Sequence, residues 1–355
     1  MKIKWIGISV LVCTAFLGSQ NASAGEQGHY YPGIINIRDV AMPPKGFYYA
    51  TYNPYLSSDV YMDASGDEVD QITKSGTFTK SVGAGRAQFD VTLTGTITAD
   101  IDLEFEAFTS QHILMWITEH KILGADYGLY VAPSYGHVRL AASAEVSGAG
   151  TVTIGPLTKT VAGSTTIDVE GEKDGFGDML VVPFWLGWHG AEYDAGLNYG
   201  FFAPTGAYDS EDAVNVGLGY WTHQVQAAFA YYPTILAPKA TALVVQGTYG
   251  YHTEKDGFDL TPGQDIDLEY GISQYLHPQI EIGVSGFHHW QITDDKGADA
   301  PADPSVHDQT NGFAAQVSVW PVVHKFYISF RYAWEYGAED HFDDEIATVN
   351  GVWVF

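Results

Sequence analysis

The stretch QDIDLEYGI, residues 264–272, decides how the whole chain is read. Asp265, Asp267 and Glu269 alternate with Ile266, Leu268, Tyr270 and Ile272. Successive side chains of a β-strand point to opposite faces, so this strand carries carboxylates on one side and apolar groups on the other. Such a strand belongs either to an acidic metal site or to a wall that separates two surroundings.

Two more stretches favour the wall. In QIEIGVSGFHHWQIT, residues 279–293, Ile280, Ile282, Val284, Trp290 and Ile292 lie opposite Glu281, Ser285, His289, Gln291 and Thr293. In KFYISFRYAWE, residues 325–335, Phe326, Ile328, Phe330, Tyr332 and Trp334 lie opposite Lys325, Ser329, Arg331 and Glu335. A soluble sandwich also alternates, with its polar face in water. Strands of about 10–15 residues fit tilted membrane-spanning strands better than the usual strand of roughly 5 or 6. Trp and Tyr near the strand ends match the aromatic girdles of such barrels. The apolar face then meets lipid, and the polar face lines a watery lumen.

The termini agree. Lys2 and Lys4 precede the apolar run IGISVLVCTAFLG, and Ala22-Ser23-Ala24 offers small residues for cleavage, so residues 1–24 read as a signal peptide removed after Ala24. The run is shorter than the roughly 20 residues of a spanning helix. The only cysteine, Cys13, leaves with it, so no disulfide is possible, and Val12 is too large for a lipoprotein cleavage site. At the other end EIATVNGVWVF sets Ala347, Val349, Gly351, Trp353 and Phe355 on one face, and the chain stops on an aromatic residue. That ending resembles the recognition strand read by the bacterial barrel-assembly machinery, with Phe355 as the signal.

Composition fits an all-β chain: 39 Gly and 14% aromatic residues, with 43 acidic against 16 basic side chains. Without Lys2 and Lys4 the mature chain has 14 basic residues against 43 acidic, a net of −29. That charge excludes a nucleic-acid partner, which requires basic patches.

Strands are predicted near 46–56, 101–118, 125–146, 178–188, 191–204, 216–232, 240–254, 265–276, 279–293, 311–319, 325–337 and 345–355. These twelve form a single transmembrane antiparallel β-barrel over residues 25–355. An even count returns both termini to the periplasm, and closure leaves no strand edge unpaired in lipid. Connections should then alternate. Short turns fall at 189–190, 233–238, 277–278 and 322–324, and longer loops at 57–100, 147–177, 205–215, 255–264 and 294–310. The Thr- and Val-rich pieces in 57–100 and 147–177 could supply extra strands, and fourteen is the second count.

Motifs for chemistry are absent: no GxSxG, HExxH, Walker loop or complete GxGxxG occurs. The GAG at 83–85 and 148–150 and the GFG at 175–177 read as turn glycines. His288 and His289 are strand neighbours on opposite faces, so only His289 faces the lumen and the two do not chelate together. The acidic loop DDKGADAPADPSVHD lacks EF-hand spacing and reads as a solvated loop. No catalytic, cofactor or metal residue is expected.

From about residue 175 to 320 the sequence resembles the outer-membrane channel family named for the meta-pathway of phenol degradation. The resemblance rests on GFGDMLVVPFWLGWH, FFAPTGAYD, NVGLGYWTHQVQAAFAYYP, YGYHTEKDGFDLTPGQDIDLEYGISQYLHP and GVSGFHHWQITDDKG. Within them Gly177 and Asp178, Pro204, Thr205 and Gly206 with Tyr208 and Asp209, Gly219-Tyr220-Trp221, Gly263, and Thr293, Asp294 and Asp295 occupy the family's positions. The resemblance implies a barrel channel for passive uptake of small, often hydrophobic or aromatic solutes, and no catalytic residues. A surface or adhesive barrel and a barrel-borne hydrolase are the competing functions. Expected surroundings are outer-membrane lipid and lipopolysaccharide, with a monomer as the form. Asp265, Asp267, Glu269, Glu281, His289, Gln291, Lys325, Arg331 and Glu335 are expected to line the lumen, where a surplus of carboxylates favours cations.

Overall fold

The alternation becomes sheet almost everywhere in the computed structural model, which describes residues 28–82, 89–154, 157–212, 214–235, 237–301 and 303–355. The expected signal peptide 1–24, with Cys13 and the expected cleavage after Ala24, lies outside the described residues, as does the glycine motif at 83–85. In chain order the strands are β1 (Gly46–Ser58), β2 (Tyr61–Met62), β3 (Gln71–Val82), β4 (Phe89–Ile122), β5 (Ala125–Ala132) and β6 (Ser134–Ile154). They continue with β7 (Leu157–Phe176), β8 (Met179–His189), β9 (Tyr193–Ala203), β10 (Thr222–Tyr231), β11 (Thr241–His252) and β12 (Asp265–His277). The last are β13 (Ile280–Gln291), β14 (Gln309–Val322), β15 (Phe326–Glu339), β16 (His341–Phe342) and β17 (Glu345–Val354).

Contacts divide the chain into two units, one holding residues 68–104 and 141–170, the other residues 23–67, 105–140 and 171–355. In the larger unit β1, β4, β5, β8 to β15 and β17 form a ring of twelve strands, each antiparallel to its neighbours. The ring closes because β1 pairs with β17 on one side, Tyr48 facing Val354, and with β4 on the other, Gly46 facing Ile117. All twelve expected strands are present, and the ring is twelve rather than fourteen.

In the smaller unit β3 and the first part of β4 form a hairpin in register from Gln71 opposite Asp100 to Val82 opposite Phe89. Thr73, Ser75, Thr77 and Thr79 hydrogen-bond across it to Thr98, Thr96, Thr94 and Thr92. The pieces of 57–100 and 147–177 that could have added strands to the ring therefore do form strands, but they pair with one another. Gly95 and Gly150 let two of these strands approach: a Cβ at Gly95 would collide with the Ala149 carbonyl, and one at Gly150 with that of Thr94.

One expected strand, 125–146, is two. Pro133 has no N–H for the ladder, so β5 ends at Ala132 and β6 begins at Ser134.

Within the ring, short turns and longer connections alternate between ends. Residues 123–124, 190–192, 278–279 and 323–325 make tight turns at one end, with 232–240 beside them. Residues 204–221, 253–264, 292–308 and 340–344 lie at the other end, which is the external one in bacterial barrels. Leu123 and Gly124, both at positive φ, have the backbone of a two-residue hairpin turn.

Burial follows the alternation. On β12, Asp265, Asp267 and Glu269 are buried while Ile266, Tyr270 and Ile272 are exposed. Phe330, Val317, Val284, Phe313 and Val245 form part of the same exposed apolar surface on neighbouring strands. A surface that large and apolar is stable only in lipid.

Ile272 lies near the middle of β12 on this outer face, so Ile272→Arg should lower the folding free energy by about 2–4 kcal/mol. Urea titration of the barrel in lipid vesicles measures this; an unchanged midpoint would mean that the face does not meet lipid.

Candidate functional site in the barrel lumen

A ring of twelve strands encloses little space, and its inward side chains are largely withdrawn from water. A buried carboxylate or amide costs free energy unless it is hydrogen-bonded. The partners come from residues 28–45, which run inside the barrel from the external end to the start of β1. His29 meets Asp178 and Thr222 at the external rim. The Tyr30 hydroxyl donates to Glu269, and the Gly33 amide donates to the other Glu269 oxygen at 3.0 Å. Arg331 donates to the Gly33 carbonyl, and the Ile37 amide donates to Gln316 at 3.1 Å. Arg38 then reaches Glu281, the Ser273 hydroxyl and the carbonyls of Lys239 and Ala240 near the turns of the other end.

Apolar contacts hold the same segment. Ile37 and Val40 pack with Ala230, Tyr232, Ala242 and Val244. Met42 packs with Ile117 and Trp185, and Tyr31 and Ile34 pack against the cluster around Phe287. Gly33 is fixed by this last contact: it has φ +85°, and a Cβ there would stand 2.7 Å from the Phe287 ring. Only glycine combines that backbone with that approach.

The residues expected on the lumen wall now have surroundings. Asp265, Asp267, Glu269, Glu281, His289, Gln291, Arg331 and Glu335 are all buried, on the inward face of their strands. Rather than facing a watery lumen, these residues are hydrogen-bonded within the protein. His289 Nδ1 lies 2.7 Å from Asp267, and Gln291 donates to Asp295 and to the Thr293 carbonyl. Lys325 is different: it sits exposed in the turn before β15, one residue beyond the strand whose alternation suggested it. His288 and His289 do part to opposite faces, His288 stacking on Trp290 and Tyr270 outside. Phe355 is 83% exposed beyond the end of β17, its amide bonded to the Phe47 carbonyl.

The family-position residues hold the external loops. Asp178 accepts the amides of Gly206 and Leu218, Thr205 accepts that of Met179, and Asp209 accepts that of Glu211. Asp295 accepts the Gly263 amide, and the Thr293 hydroxyl accepts that of Gln264. Asp294 faces His307 on the surface, Pro204 is exposed, and a Cβ on Gly177 would strike Ser134. Within the acidic loop 294–308, Asp308 is buried.

At the rim a hydrogen-bonded chain links Asp178, His29, Thr222, His252 and Asp265, with separations of 2.8, 2.6, 2.8 and 2.9 Å. Four such bonds need four protons, whereas one hydroxyl and two neutral imidazoles supply three. Burial lowers the His29 pKa and outweighs the opposing effect of Asp178. Burial alone raises the pKa of Asp178, but the His29 bond and the Leu218 and Gly206 amides outweigh it and hold that carboxyl below its ordinary value.

Residues 28–45 fill only part of the lumen. Between them and β1, β4, β5, β8, β9 and β10 lies a cavity of about 500 Å³. Its wall is mainly apolar, with Leu56, Ile113, Met115, Tyr130, Leu180, Trp185 and Phe202, and a few polar groups such as Asn198, Gln224 and Gln226. Sequence reasoning missed both the inserted segment and this cavity. The available signal was Ile34, Ile35, Ile37, Val40 and Met42, too many apolar residues for a solvated tail and without strand period.

Comparison with known proteins agrees with this architecture. A family model described as the proposed MetA-pathway of phenol degradation matches residues 59–345. Among solved structures, the COG4313 outer membrane channel from Pseudomonas putida F1 superposes with a TM-score of 0.61 at 15% identity, covering 90% of this chain and 100% of that one. A Pseudomonas aeruginosa FadL homologue covers 88% of this chain and 90% of its own at 10% identity, with a TM-score of 0.34. No curated protein sequence matches. The chain belongs to the phenol-degradation MetA-pathway family, and its fold is that of a twelve-stranded outer-membrane β-barrel.

Proposed function

We propose that this barrel is a passive channel of the outer membrane that admits small hydrophobic or aromatic solutes. The observation that carries this reading is the cavity beside residues 28–45: about 500 Å³, mostly apolar, with a few polar groups. That combination is typical of sites that bind small apolar molecules. The P. putida relative is described as an outer membrane channel, which supports the reading. Small solutes, outer-membrane lipid, lipopolysaccharide and the barrel-assembly machinery, reading the exposed Phe355, are its partners. The channel needs no cofactor and no catalytic group.

The wall carboxylates take a second role in this reading. Asp265, Asp267, Glu269, Glu281 and Glu335 face His252, His289, Tyr30, Arg38 and His341. Their field is partly cancelled while residues 28–45 are seated, and they hold the segment. Removing it exposes them, and a low-dielectric wall strengthens their attraction for cations.

His29 makes the seating depend on pH. Its pKa in the folded protein is below the unfolded value, so folding favours the neutral ring. The contribution is complete above about pH 6.5, the ordinary histidine value, and is lost as pH falls from there through the lowered folded value. Acidification loosens the segment.

Three outcomes follow. In proteoliposomes, corrected for the rate in protein-free vesicles, neutral aromatic solutes should enter faster than sugars of similar size, and Leu180→Glu should slow them roughly tenfold, equivalent to about 1.4 kcal/mol; equal entry of both classes would overturn the solute assignment. In planar bilayers under a KCl gradient, deletion of residues 28–41 should raise conductance and shift the reversal potential towards cation selectivity. Loss of that shift in Asp267→Asn with Glu269→Gln would tie it to these carboxylates. Protease cleavage between residues 28 and 45 should increase as pH drops from 7.5 to 5.5, and His29→Gln should flatten that dependence; the same slope in both proteins would remove His29 from the seating.

A further inference from the structure

Glu335 near the end of β15, His341 on β16 and Asp344 before β17 offer ligand atoms that all lie within 4.8 Å of one another. All three are buried, with exposures of 7%, 5% and 2%. His341 Nδ1 stands 2.9 Å from Asp308 in an ion-pair contact, and the ring's other nitrogen, Nε2, is turned toward Glu335. Carboxylates orient metal-binding histidines in this way. Nε2 has no hydrogen-bond partner among the described residues, and Asp344 Oδ1 has none either. Nε2 faces Glu335 Oε2 at 3.5 Å. Two ligands each about 2.1 Å from one ion, at a tetrahedral angle, stand roughly 3.4 Å apart.

Other contacts hold these groups in place. The Asp344 amide donates to Glu335 Oε2 at 3.1 Å, and the Tyr31 hydroxyl reaches Glu335 Oε1 at 3.2 Å and also Asp344 Oδ2. β16 is itself fixed by pairing with β2, His341 opposite Met62 and Phe342 opposite Tyr61. Three buried carboxylates, Glu335, Asp344 and Asp308, thus surround one imidazole, an uneven balance of charge for a site withdrawn from water.

We propose that Glu335, His341 and Asp344 bind a divalent first-row transition ion of the Zn²⁺ type, with Asp308 positioning His341. One imidazole nitrogen and two carboxylates suit a borderline ion, whereas Ca²⁺ and Mg²⁺ take all-oxygen shells. The ion ties the external return between β15 and β17 to the carboxylates that hold Tyr31, and so strengthens the seating of residues 28–45. The site is independent of the solute that passes through the cavity.

The test uses the full mature chain in detergent, stripped with EDTA, with Zn²⁺ as the probe. Zn²⁺ is titrated into the folded protein by calorimetry and is also supplied during refolding from urea, followed by metal analysis. One Zn²⁺ per chain is expected by at least one route. It should be lost in His341→Ala and weakened about 10- to 100-fold in Asp308→Asn, the usual effect of removing an orienting carboxylate. Equimolar Ca²⁺ should not displace it. Heat-modifiable gel mobility shows whether each variant has formed its barrel; if His341→Ala has not, Glu335→Gln and Asp308→Asn decide. Absence of stoichiometric Zn²⁺ by both routes, affinity unchanged in Glu335→Gln and Asp308→Asn, or ready displacement by Ca²⁺ would each overturn the assignment.

Discussion

In lipid, every backbone N–H and C=O must find its partner within the protein, and the rest of this structure depends on that requirement. A sheet meets it only by closing, which here requires β1 to pair at once with β17 and β4. Closure then creates a second difficulty. The outward face is mainly apolar, so most polar residues of each strand are gathered in a narrow interior, where bulk water can no longer satisfy them all. Residues 28–45 resolve much of this, bringing amides, hydroxyls and the Arg38 guanidinium to the carboxylates of β12, β13 and β15. The segment is thus less an appendage than the missing hydrogen-bonding half of the wall.

The interior is consequently two-sided. Along β11 to β15 it is filled and charged, with each buried acid close to a base, hydroxyl or amide. Along β1, β4, β5 and β8 to β10 it is apolar and open. This asymmetry separates anchoring from passage: the groups that bind the segment strongly are not those that border the cavity. Tyr52, Gln246 and Asp178 are exceptions, and the Asp178 carboxylate lines the cavity, accepts His29 and holds two loop amides. It connects loop position, segment and opening at one point on the rim.

The ring was legible because lipid enforces a period of two on every strand, and QDIDLEYGI, QIEIGVSGFHHWQIT and KFYISFRYAWE carry that period over most of their length, with Phe287 inside and His288 outside as departures. The direction of each inward carboxylate followed from the same alternation; its partner did not, because the partners of Asp267, Glu269 and Glu335 come from other strands or from residues 28–45. Nothing periodic marks that segment, whose path is set by specific contacts such as Gly33 on Phe287. Lys325 shows the limit of parity, which holds only inside a paired strand. The division at Pro133 was visible in principle, since a proline within a long strand read as continuous is itself a warning. Likewise Glu335, His341 and Asp344 are close in sequence, but Asp308, which gives His341 its orientation, is on another loop.

The course of residues 28–45 also ties the segment to the closure of the ring. They precede β1 directly and extend through the barrel to its external rim, where Gly28 abuts Asp265 and His252. Threading such a chain through a finished cylinder would require pulling Tyr30 and Tyr31 past Phe287 and Arg331. The seated segment and the closed ring thus support each other: with the segment misplaced, Glu269, Glu281 and Glu335 lose the partners it brings.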